Sequence, residues 1–147
     1  MRAMAAAGAR PARSGKQVSA KIGKTRRPEK DHWRELVETS AAWIWKTDAD
    51  IRHTYTNAFV TRCLGYQPAE FLRLDTLDLV HPDDRELVKK LVQNAITRKE
   101  GWFNQVLRWR HRDGSWRYIE SSGSPLFDEQ GTFAGLCGID RDITEQK

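Results

Sequence analysis

The side chains able to do chemistry in this chain are few and widely spaced. The four histidines, His32, His53, His81 and His111, have no ligand-type spacing, so no metal site is expected. The two cysteines, Cys63 and Cys137, form no C-x-x-C pair and are read as buried apolar thiols in a reducing compartment. Asp83 and Asp84 could imitate an acid pair. Adjacent helical residues diverge by about 100°, however, and the positive end of a helix dipole explains both. A nucleophile elbow, a phosphate-cradling glycine loop, an H-E-x-x-H pair and a phosphoacceptor histidine motif are all missing, so no enzyme is expected here.

Six tryptophans in 147 residues are the stronger signal. Trp43, Trp45, Trp109 and Trp116 fall on expected strands. They suit the core, a partner-facing sheet surface, or the wall of a pocket for an aromatic or acyl ligand, with core and interface preferred. His53, Tyr55 and Leu91 complete the expected pocket. A half-buried, hydrogen-bonded strand histidine is the preferred account of His53, ahead of a ligand contact or a pH-sensitive group.

The elements that must hold these residues follow from periodicity. Residues 1–28 are rich in Ala, Gly, Ser, Lys and Arg without apolar periodicity, and are read as a disordered tail. Residues 1–30 hold nine Lys or Arg against one acid, a net of +8, while residues 31–147 hold 16 against 19, a net of −3. The high isoelectric point therefore belongs to the tail. That tail has no aromatic residue to stack on bases, and nucleic-acid binding ranks last among the functions considered. No apolar run reaches the roughly 20 residues needed to cross a bilayer, and a cytoplasmic location is expected.

Asp31 is expected to cap a helix reaching Ser40, with Trp33, Leu36 and Val37 as a narrow apolar stripe for docking on a sheet or on a second copy. Two short strands follow, Trp43–Asp48 and Ile51–Thr56, with His53 and Tyr55 on one face. Asn57 is read as the cap of a helix ending at Gly65. Pro68 opens a helical turn, and His81-Pro82-Asp83-Asp84 opens the longest helix, whose stripe is Leu87, Val88, Leu91, Val92, Ala95 and Ile96. From Phe103 the pattern alternates. Asp113-Gly114 turns a hairpin, Trp116–Leu126 returns, and Thr132–Asp140 closes. The order implies an α+β domain, a five-stranded antiparallel sheet with helices packed on one face.

Six segments of residues 29–147 carry a family resemblance. They are Trp45-Lys46-Thr47-Asp48, Tyr55-Thr56-Asn57-Ala58-Phe59, Leu64-Gly65-Tyr66 with Glu70-Phe71, His81-Pro82-Asp83-Asp84, Arg112-Asp113-Gly114-Ser115-Trp116, and Gly138-Ile139-Asp140-Arg141-Asp142-Ile143-Thr144-Glu145. In this order and spacing they resemble a PAS domain with its C-terminal PAC half. Ile51 and His53 stand where that family usually has glycine and an aliphatic residue.

The resemblance implies a sensory module that dimerises and relays binding of a small ligand or partner to an effector. Histidine kinases and diguanylate cyclases are such effectors. A ligand-free interaction module is the alternative. Asp142, Ile143 and Thr144 resemble the signal hinge, with Asp142 paired to Arg110, Arg112 or Arg117, and Arg112 preferred. The chain stops at Lys147, where the family's output helix begins, so the effector is expected outside this segment. A flavin adduct is not expected, because Arg73-Leu74-Asp75-Thr76-Leu77 lacks the cysteine of the light-sensing branch. Haem is not expected either, since the stretch from Arg85 to Arg98 contains no histidine to act as axial ligand. The cofactor stays unassigned.

Overall fold

The computed structural model describes residues 35–147. The fold below is that of the unit formed by residues 37–147. The expected basic tail, the Asp31 cap and Trp33 lie outside the described residues. Residues 35–39 are helical, with Leu36 exposed and Val37 half-buried.

Five strands form one antiparallel sheet in the order β2-β1-β5-β4-β3. They are β1 (Trp43–Thr47), β2 (His53–Thr56), β3 (Trp102–Arg110), β4 (Trp116–Phe127) and β5 (Phe133–Asp142). Between β2 and β3 run the short helices α1 (Val60–Leu64), α2 (Pro68–Phe71) and α3 (Thr76–Leu79). A 3₁₀ turn at Pro82–Asp84 then leads into the long helix α4 (Arg85–Arg98). This is the α+β architecture expected from the sequence. The core cluster is led by Trp43, Phe71, Leu64, Ile119 and Leu136, all essentially inaccessible to solvent.

Several local expectations change. Asn57 does not cap α1. Its Oδ1 accepts from the Ile44 N–H at 3.0 Å, and its Nδ2 donates to the carbonyls of Val37 at 2.8 Å and Ala42 at 2.9 Å. It therefore ties the lead-in segment to β1 rather than serving the helix that follows. The α4 stripe is shallower than its pattern suggests. Only Ala95 is fully buried and Ile96 is 40% exposed, because α4 lies over the sheet with open space beside it. Asp84 does more than meet a dipole. Its carboxylate grips the Arg108 guanidinium at 2.7 and 3.0 Å and accepts the Arg108 N–H at 2.8 Å, fixing the start of α4 to β3.

Two irregularities decide which residues face the core. The β1–β2 register passes from Lys46–Tyr55 to Thr47–His53, leaving Thr54 as an extra residue. That bulge puts His53 and Tyr55 on opposite faces, against the simple alternation expected. In β3 the register shifts between Trp102 and Gln105, where Asn104 takes φ 51°. Trp102 thereby joins Leu107 and Trp109 on the core face, while Phe103 stays 75% exposed.

Candidate functional site

The tryptophan-rich face lines a partly open chamber of about 60 Å³ between the sheet and the helices. Its walls include Trp43, Trp45, Trp102, Trp109, His53 and Asp140. Space for the indoles comes from a glycine pair. Gly123 and Gly138 face each other across β4 and β5. A Cβ on Gly123 would sit 2.4 Å from the Trp102 ring, and one on Gly138 2.2 Å from the Trp45 ring. With those positions bare, Trp45 and Trp102 lie nearly parallel, their centroids 6.4 Å apart. Trp43 packs edge-on against Trp109 at 5.1 Å and Phe71 at 5.3 Å, and its Nε1–H donates to Thr56 Oγ1 at 3.0 Å. The Trp102 Nε1–H donates to Ser121 Oγ at 3.1 Å.

Of the residues expected to line a pocket, Trp43, Trp45, His53 and Trp109 do so, and three do not. Tyr55 is turned away by the β2 bulge and donates its hydroxyl to Glu38. Leu91 packs on the margin of the core, and its neighbours Val88 and Val92, one turn-face around α4, reach the chamber instead. Trp116 stands at the start of β4 away from the chamber, tilted against His81 at 4.5 Å and beneath Arg110 at 5.0 Å.

The sequence reading missed Trp102 and Asp140. Asp140 is 1% exposed and projects from the central strand β5 into this apolar setting. Burial pushes its carboxyl up to about 7, against the opposing pull of Trp45, Ser121 and the Ser122 N–H. Trp45 Nε1 is near enough to contribute to that pull, yet neither it nor Asp140 Oδ1 closes a bond of proper hydrogen-bond geometry among the described residues. Burial also lowers His53 to about 4, and its Nδ1 is 2.9 Å from Thr76 Oγ1. Cys63, on the buried side of α1, is pushed up to about 12 by burial and then by Asp142 and Asp140, so its thiol is inert. Cys63 is buried, Cys137 is half-buried, and both are free thiols. Among the described residues no group of three or more His, Cys, Asp or Glu is placed to hold a metal ion.

Outside the chamber lies an open groove of about 840 Å³. Ile51, Thr76, Val88 and Val92 line both spaces, so these four side chains are the partition. Ile51 adopts φ 64°, a conformation that is costly for a β-branched residue. The turn imposes it: the Asp48 carbonyl accepts the Ile51 N–H at 3.0 Å, and Asp48 Oδ1 accepts from Asp50 and Arg52.

At the end of β5, Asp142 pairs with Arg117 at 3.2 Å. The expected partner Arg112 is instead bound to Glu70 and lies over the Tyr66 ring. Arg117 is the nearer because it stands on β4 close to the register partner of Asp142, whereas Arg112 sits in the hairpin beside α1 and α2. Asp142 Oδ1 also accepts from the Thr144 N–H and hydroxyl. Thr144 Oγ1 accepts the Tyr118 N–H at 3.0 Å, and the Ile143 N–H donates to the Tyr118 carbonyl at 2.8 Å. Asp142, Ile143 and Thr144 thus clasp the exit to β4, and a 3₁₀ turn, Thr144–Gln146, follows.

Comparison with known proteins agrees with this geometry. The description "PAS fold" matches residues 53–139. The chain is 25% identical to the PAS domain of a protein from Colwellia psychrerythraea, with a TM-score of 0.72, covering 80% of this chain and 98% of that one. It is 27% identical over 115 residues to Uncharacterized protein y4lL of Sinorhizobium fredii, covering 78% of this chain and 14% of that protein. It is 30% identical over 86 residues to the Methyl sulfide methyltransferase-associated sensor of Methanosarcina acetivorans, covering 57% of this chain and 9% of that protein. The chain thus spans a small part of the curated relatives it matches. With its sheet order, helices and matched residues in agreement, the chain belongs to the PAS-fold family.

Proposed function

We propose that this PAS domain is a cytoplasmic sensory module that couples occupancy of the chamber to the exit after β5. One observation carries the reading. Asp140 lies in the chamber wall and Asp142, two residues along the same strand, anchors the exit through Arg117. A strand cannot shift at one of these positions without loading the other, because the sheet bonds between β5 and β4 are continuous over both. The output is an effector such as a histidine kinase or diguanylate cyclase, joined to this segment or bound to it, and the domain itself performs no reaction. Dimerisation uses the outer sheet face, where Ile139 is 48% exposed.

The small volume of the chamber favours a second reading, a ligand-free interaction module whose tryptophans fill their own core. Native mass spectrometry combined with hydrogen exchange separates the two. The sensory reading expects bound mass on the folded chain, and faster amide exchange at residues 143–146 once that mass is stripped by unfolding and refolding. A bare chain with unchanged exchange at the exit supports the interaction module instead.

A further inference from the structure

Three buried polar atoms in the chamber residues lack a hydrogen-bond partner among the described residues: Trp45 Nε1, Trp109 Nε1 and Asp140 Oδ1. Their residues are 6%, 5% and 1% exposed, and all three line the same chamber. Buried polar groups are nearly always bonded, so three such atoms around one space define a recognition pattern. That pattern is two N–H donors and one carboxyl. The other indoles do not contribute to it, since Trp43 and Trp102 already donate to Thr56 and Ser121.

The pattern and its surroundings disfavour an ionic guest. No lysine or arginine lines the chamber. Burial drives both titratable wall residues, His53 and Asp140, toward their neutral forms, and a charged guest would meet the same desolvation penalty. An ammonium ion has no acceptor to offer the two indole N–H groups. Trp45 Nε1 lies close enough to Asp140 to act on its carboxyl, so a guest with one carbonyl-type acceptor for Trp109 and one N–H donor for Asp140 Oδ1 answers the positions left.

Resting on the sensory reading above, we infer that the chamber recognises a small neutral amide. Its oxygen accepts from the Trp109 indole N–H, and its N–H donates to Asp140 Oδ1. The chamber volume of about 60 Å³ suits a small guest such as a short primary amide. A longer substituent would pass Ile51, Val88 and Val92 into the outer groove.

The six tryptophans provide a direct readout, since each indole N–H gives one cross-peak in a ¹⁵N-correlated NMR spectrum. Acetamide is titrated into the full chain beside acetate and ethylammonium as charged counterparts of similar size. The expected result is saturable movement of the Trp45 and Trp109 indole peaks with acetamide alone. Trp109→Phe should weaken acetamide at least about tenfold, a loss expected for one buried hydrogen bond. Asp140→Asn should keep binding within about threefold, because its amide oxygen still accepts. Preserved peaks for the other indoles verify that each variant is folded.

Stronger binding of ethylammonium or acetate overturns the amide assignment. Failure of all three probes, with a different molecule seen by native mass spectrometry, also overturns it and leaves the sensory reading standing. Failure of all three on a chain that carries no bound mass overturns both.

Discussion

Replacing Asp140 with asparagine should raise stability at neutral pH and leave it nearly unchanged in acid. The carboxyl has an ordinary value of 3.8 and is held at about 7 in the fold by burial. Between those values the unfolded chain has lost this proton while the native chain retains it. Folding therefore takes up a proton, and the contribution of Asp140 to stability falls as pH rises through the window. The gap of about three pH units, at about 1.4 kcal/mol each, gives a total on the order of 4 kcal/mol. Asparagine has nearly the same shape and does not titrate. The difference between variant and parent should be flat below about pH 4, grow toward about pH 7 and level off above it.

Other groups titrate in or near this range, but they are common to both proteins. Asp84, Glu70 and Asp113 are held below the ordinary carboxylate range by hydrogen bonds from Arg108, Arg112 and Ser115, so their stabilisation is lost as pH falls. His53 is lowered to about 4, so it too destabilises the fold in acid, and Cys63 at about 12 titrates above the window. Urea unfolding of both proteins, followed by fluorescence at a series of pH values, gives the difference directly from midpoints and slopes. A difference that stays constant with pH would refute the reasoning. It would mean that the Asp140 carboxyl is solvated or paired in the native chain.

Other substitutions test the remaining geometry. Gly135 has φ 144°, and a Cβ there would sit 2.1 Å from the Thr47 carbonyl oxygen, so Gly135→Ala should cost more than about 2 kcal/mol in chemical unfolding. By contrast, Gly114→Ala meets open space, and its φ of 93° should cost only about 1 kcal/mol in the same measurement. Ile51→Gly should relieve the backbone and open the partition, raising acrylamide quenching of tryptophan fluorescence; unchanged quenching would show that Ile51 does not gate the chamber. Asp84→Asn should lower the thermal midpoint at neutral pH by weakening the grip on Arg108, and that deficit should fade as pH drops below 3.8.

Much of the fold is legible because its signals are local. Asp113-Gly114 turns the hairpin, Gly65 ends α1 at φ 84°, and Pro68 and Pro82 stand at first helical positions. Each is a conformational preference held by one or two residues. The chamber was only partly readable. Trp43, Trp45, His53 and Trp109 follow from alternation, but Tyr55 and Trp102 do not, since one extra residue in a strand reverses every side chain beyond it. A Gly-free alternating stretch at Phe103–Arg112 gave no sign of the bulge at Asn104.

The sequence by itself determined the element order, the turns and the antiparallel α+β architecture, because backbone preference and hydrophobic period act over a few residues. Only the tertiary structure decided that Asp140 is buried, that Arg117 and not Arg112 holds Asp142, and that Gly123 and Gly138 make room for Trp102 and Trp45. Those facts depend on β5 lying between β1 and β4, segments up to about ninety residues apart in the chain, as in the Leu136 N–H bond to Thr47 Oγ1 with its separation of 89. A carboxylate in a charged motif has the same local pattern whether its strand lies at the edge or the centre of a sheet. Its neighbours across the sheet alone set its solvation, and with that its charge.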